Sequence, residues 1–65
     1  MAYLFVDKEN RELCSNIKPI KIGESIFVGG YNVCVENMYA VNLPKGSIKK
    51  LIGRELTWED EPIEI

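Results

Sequence analysis

Tyr3-Leu-Phe-Val6 is the stretch on which the reading of this chain turns. Aromatic and β-branched residues in succession are a strong strand signal, because such side chains fit a pleated, half-buried surface. Successive side chains point to opposite sides of a strand, so Tyr3 and Phe5 share one face and Leu4 and Val6 the other. Both faces are apolar. That pattern fits a strand in the middle of a sheet rather than at its edge.

Outward from this strand, Asp7-Lys-Glu-Asn10 is a polar turn in which Asn10 tolerates a left-handed backbone. Arg11-Glu-Leu-Cys-Ser15 then reads as a second strand, with Leu13 and Cys14 the expected inward members, and the first two strands are expected to form a hairpin. Ile17-Lys-Pro-Ile-Lys-Ile22 contains Pro19, which has no N–H to give a ladder, so this piece reads as an edge strand or an irregular approach to one. Gly23-Glu24 turns the chain into a clear strand, Ser25-Ile-Phe-Val28. Gly29-Gly30 ends it and, with Tyr31-Asn32, is expected to make a hairpin tip. Val33 to Leu43 alternates with a period of two over eleven residues, the longest such run in the chain. A strand of that length in so small a protein must bend or break, most easily near Glu36-Asn37.

Pro44 ends that strand. Ser47 is a suitable helix N-cap, Ile48, Leu51 and Ile52 fall on one stripe, and Gly53 supplies the left-handed residue that commonly closes a helix. Glu55-Leu-Thr-Trp58 resumes an extended pattern, and Glu59-Asp-Glu-Pro62 reads as a turn. Thr57 and Asp60 also have the spacing of a capping box. Ile63-Glu-Ile65 is expected to be a brief final strand. Five to six short strands with one short helix near residues 47–53 make a mainly β domain: a small SH3-like or OB-like barrel, or a strongly bent antiparallel sheet.

The 65 residues suffice for one domain, spanning 1–65. A chain this short buries only about 60% of the surface its unfolded form exposes, so dimerisation is a plausible further source of burial. At 46% hydrophobic residues the chain is too apolar for a disordered tail. Its net charge of −2 argues against nucleic-acid binding, which normally needs a surplus of Lys and Arg to displace counterions. No apolar run approaches the ~18 residues of a membrane span, and no stretch has the make-up of a signal peptide. A cytoplasmic protein with no membrane role is the expectation.

Histidine is absent, and no phosphate-binding glycine loop or metal-ligand spacing is present. Cys14 and Cys34 lie in β patterns beside apolar neighbours and read as small, half-buried, reduced hydrophobes rather than nucleophiles. No catalytic residue, cofactor or metal is expected. Charge is nevertheless sorted: Lys45 to Arg54 holds four bases and no acid, and Glu55 to Ile65 five acids and no base. Lys45, Lys49, Lys50, Arg54, Trp58, Glu59, Asp60 and Tyr31 are the candidate partner-binding residues. Trp58 reads as the plug of a small barrel in preference to an exposed anchor, and Tyr31 as part of a hairpin tip that can also be a contact.

The expected function is a small non-enzymatic protein-interaction or regulatory module, of the kind that suits a bacterial or phage accessory protein acting on a larger protein. A protein partner is favoured over nucleic acid. The alternatives are a single-stranded nucleic-acid-binding small β-barrel and a self-associating structural subunit, including a homodimer through strand edges.

Overall fold

The computed structural model describes residues 1–35 and 38–65. The described residues form seven strands, β1 (Tyr3–Val6), β2 (Glu12–Ser15), β3 (Ile20–Ile22), β4 (Ser25–Val28), β5 (Tyr31–Asn32), β6 (Ala40–Asn42) and β7 (Ile63–Glu64), and one helix, α1 (Ser47–Ile52). The strands form two antiparallel sheets, one ordered β6-β2-β1-β7 and the other β3-β4-β5. Mainly β architecture with one short late helix matches the sequence reading. The expected barrel is not closed: the strands divide between two sheets instead of running round one.

β1 lies between β2 and β7, as its two apolar faces require. On one face Phe5 meets Leu13 and Ala40 of the same sheet and Ile26, Val28 and Val33 from the three-stranded side. On the other, Leu4 and Val6 pack with Ile48 of α1 and with Leu56. The four-stranded sheet is therefore covered twice, by the second sheet and by the helix with its following segment. Burying each of these large aliphatic or aromatic side chains contributes roughly 1.5–3 kcal/mol before conformational entropy is counted.

Turn chemistry fixes the registers. Asn10 adopts a φ of 66°, and its N–H closes on Asp7 O, giving a short loop with a left-handed last residue between β1 and β2. Asp7 is fully buried there, accepting the N–H groups of Glu9 and Arg11 and an ion pair from Arg11 Nε at 2.6 Å. Gly29 and Gly30 both have positive φ, which makes the β4–β5 connection a two-residue hairpin turn closed by Val28 and Tyr31. A Cβ at Gly29 would also sit 2.5 Å from the Tyr39 ring, so no side chain fits there.

The long alternating run is the main departure from expectation. Val33 to Val35 is a turn, with Val35 N–H bonded to Asn32 O, and Met38 and Tyr39 lie outside any strand before pairing with β2 at Ala40. Two apolar edges drive this: Val33 is drawn into one core by β4, and Ala40 into the same core by β2. The expected break at Glu36-Asn37 lies outside the described residues.

Candidate interaction surface

Helix α1 is positioned by a side chain from far along the chain. The Glu12 carboxylate accepts the Gly46 N–H at 2.6 Å and the Ile48 N–H at 2.8 Å, one on each oxygen. The N-cap is Gly46, in a left-handed conformation and without a side-chain cap of its own. Ser47, expected as the cap, instead donates its hydroxyl backwards to Pro44 O at 2.6 Å. Hydrogen bonds from the Ile48 and Gly46 N–H groups hold the Glu12 carboxyl below the ordinary glutamate range, with Lys45 adding a smaller attraction. Gly53 closes the helix as expected, its N–H bonded to Lys49 O.

With α1 so anchored, Ile48 is buried and Ile52 half-buried, but Leu51 is 59% exposed. The expected three-residue stripe thus reduces to two inward members. A helix of six residues on one small sheet has room for a single turn of contact, and Leu51 rotates out of it. Lys45, Lys49, Lys50 and Arg54 are all exposed around that leucine. Their side chains form no ion pair among the described residues. A cleft of about 280 Å³ opens beside them, with Val6, Ile48 and Leu56 as its apolar wall and Glu12, Lys45, Lys49 and Glu55 as polar lining. Lys45 and Lys49 of the basic segment meet Glu12 and Glu55 at this cleft, whereas the acids from Glu59 onward do not line it.

Trp58 takes a different place. It is half-buried and packs on the core cluster shared by the two sheets; the barrel whose base it was expected to plug is not formed. Lys21 crosses above it, with Nζ 4.7 Å from the ring centroid, and donates to the carbonyls of Trp58 and Asp60. Asp60 in turn accepts the Thr57 N–H at 2.7 Å and its hydroxyl at 3.3 Å, while its own N–H bonds Thr57 O. These bonds, the Thr57 N–H first, lower the Asp60 carboxyl below the ordinary range. The capping-box spacing is realised without a helix. Trp58 and Asp60 are occupied by holding this turn, and Glu59 stands exposed beside them.

Tyr31 is not at a hairpin tip. It belongs to β5, pairs with Val28 and lies 5.6 Å from Tyr39, ring centre to ring centre. It is separate from the α1 surface. The cysteines also divide: Cys14 is half-buried as expected, but Cys34 is exposed in the 33–35 turn, 3.8 Å from Arg11 Nη2, because the strand that would have covered it is absent. Both are free. Among the described residues no cluster of side chains has the make-up of a metal site, and no helix is long and apolar enough to cross a membrane.

Comparison with protein-family models, with curated proteins and with solved structures found no match.

The side chains that sequence reasoning passed over are Glu12, Lys21 and Leu51. For Glu12 no local signal exists, since its bonds span more than thirty residues. Lys21 carried one: a lone charge between Ile20 and Ile22 on a strand must either leave the core or find acceptors at its margin.

Proposed function

We propose that this protein is a non-enzymatic interaction module whose α1 surface binds an acidic, partly apolar segment of another protein. The observation that carries the reading is the exposed Leu51 set among Lys45, Lys49, Lys50 and Arg54, four cations without an ion-pair partner among the described residues. An exposed leucine ringed by charge has the make-up of a protein contact, with an apolar centre and a polar rim. It presents no aromatic face on which the bases of a single strand would stack. The adjoining cleft, walled by Val6, Ile48 and Leu56, is open to one apolar side chain of such a partner. Interleaved Glu12 and Glu55 reduce the local potential and favour a protein over a polyphosphate.

Affinity capture from lysate with and without nuclease treatment, run with the parent chain, Leu51→Asp and the Lys49→Glu/Lys50→Glu double variant, tests this. A protein retained by the parent and lost from both variants supports it. Retention of nucleic acid alone, or of proteins insensitive to both variants, overturns it. Leu51, Lys49 and Lys50 are exposed, so the variants keep the parent's circular dichroism.

A further inference from the structure

The cleft beside α1 holds charges without partners as well as an apolar wall. Lys45, Lys49 and Glu55 line it, and none of the three forms an ion pair among the described residues. Glu12, the fourth charge lining it, is already engaged, since its two oxygens accept the Gly46 and Ile48 N–H groups. Those N–H groups are thereby closed to a ligand, and an anion entering the cleft meets the two ammonium groups instead. The wall behind them is fixed: Val6, Ile48 and Leu56 all belong to one buried core cluster.

Size limits what can enter. At about 280 Å³ the cleft is at the lower end of the roughly 300–1,000 Å³ of clefts that take small-molecule ligands, so it admits one residue of a chain and not a run of them. Successive side chains of an extended segment point to opposite sides. An internal acid and its apolar neighbour therefore cannot enter one such cleft together. The last residue of a chain is the exception, because its side chain and its α-carboxylate spring from the same Cα.

We propose that the cleft captures the C-terminal residue of a partner protein, an apolar one. Its side chain packs on Val6, Ile48 and Leu56, its carboxylate is neutralised by Lys45 and Lys49, and its own N–H is directed to Glu55. Charge complementarity selects this occupant: the two unpaired ammonium groups match a terminal carboxylate, and the single unpaired acid matches the one donor that a terminal residue brings with it. Capture of a chain end by such groups is a recurring mode of peptide recognition. The inference rests on the α1 reading, since the residues ahead of the captured one then run over α1, where Lys50, Leu51 and Arg54 stand exposed.

Fluorescence anisotropy reads it with a defined probe, a fluorescein-labelled hexapeptide of alternating glutamate and leucine that ends in a free leucine carboxylate. The same peptide with an amidated end is its control. The free acid is expected to bind the parent chain with a dissociation constant below about 1 mM, and about tenfold more tightly than the amide. Lys45→Gln/Lys49→Gln removes that preference. Both lysines are exposed, so native circular dichroism is expected. Coupling between the peptide's end group and these two lysines is an effect that a merely structural role would not produce. Equal binding of the two peptides, or a preference that survives Lys45→Gln/Lys49→Gln, overturns the proposal, as does a free acid that fails to bind at about 1 mM. Equal binding that is lost in Leu51→Asp overturns the terminal residue alone and supports the α1 reading. Where neither peptide binds, capture from lysate, which needs no chain end, judges the α1 reading by itself.

Discussion

The helix entrance at Gly46–Ile48 and the turn at Thr57–Asp60 are both short, irregular and closed by an acid, yet they are closed in opposite ways. At the turn the acid is local: Asp60 accepts from Thr57 three residues back. At the helix the acid is remote, Glu12 on β2, and the nearby hydroxyl of Ser47 is turned away. Both segments are also tied to a strand, one by a carboxylate that collects N–H groups and the other by an ammonium, Lys21, that collects carbonyls. A strand charge of suitable sign can thus replace a local cap where a helix is too short to hold itself. The helix depends on that charge more heavily, since six residues cannot support a turn without tertiary contacts.

The largest effect should come from removing the remote acid. Glu12→Ala leaves the Gly46 and Ile48 N–H groups unpaired beside a partly buried wall and is expected to cost about 1–2 kcal/mol. For a domain of this size each kcal/mol lowers the melting temperature by about 4–8 °C, which thermal denaturation resolves. The same contact sets a pH dependence. The Glu12 carboxyl is depressed in the folded state and ordinary in the unfolded one, so its contribution is complete above the ordinary carboxylate range. It is lost as the pH falls through the depressed folded value. Asp60, depressed by Thr57, acts in the same direction. Glu12→Gln should flatten the acid limb of a stability–pH curve, and an unchanged limb would show that the helix entrance does not need the charge.

The same contrast separates what could be read from the sequence and what could not. Both faces of Tyr3–Val6, the Asn10 turn, the Gly29-Gly30 hairpin, the Gly53 closure and the Thr57–Asp60 pairing all depend on residues within a few positions of one another. Local rules reached them. Ser47 failed as a cap because a better acceptor arrives from β2, which no window around residue 47 contains. Val33–Val35 is a turn where a strand was expected, because alternation reports which residues are apolar, not which neighbours they find; Val33 and Ala40, on either side of the expected break, are claimed by different strands. The exposure of Cys34 follows from that single error. Of the residues singled out from the sequence, the four bases are exposed, whereas Leu51 was assigned to the core and Trp58, Asp60 and Tyr31 are held by internal contacts.

A smaller effect is expected at the turn, where two devices share the task. Lys21→Met keeps the aliphatic stem over Trp58 and removes the ammonium, losing the cation–π contact and the bonds to two carbonyls. With the Thr57–Asp60 bonds still in place the cost is about 1 kcal/mol. Trp58 is the only tryptophan, so its fluorescence reports this site directly. The expected outcome is a red-shifted emission in the folded state with a modestly lower urea midpoint. If emission and midpoint both stay at the parent values, Lys21 does not hold the turn, and the contrast between remote and local closure reduces to the helix alone.

Ser47→Ala is the smallest change and the most discriminating. Were Ser47 the N-cap, its loss would cost about 1 kcal/mol, comparable with other hydroxyl caps. Here its hydroxyl donates to Pro44 O from an exposed position, and alanine is the better helix former. The two effects nearly cancel, so stability should move by less than about 0.5 kcal/mol. Combined with Glu12→Ala the serine gains a role, because a hydroxyl at this position can accept the N–H two or three residues on. A double-mutant cycle should therefore show Ser47→Ala costing more in the Glu12→Ala background than in the parent. Strict additivity would mean that the remote acid and the local hydroxyl do not compete for the helix entrance.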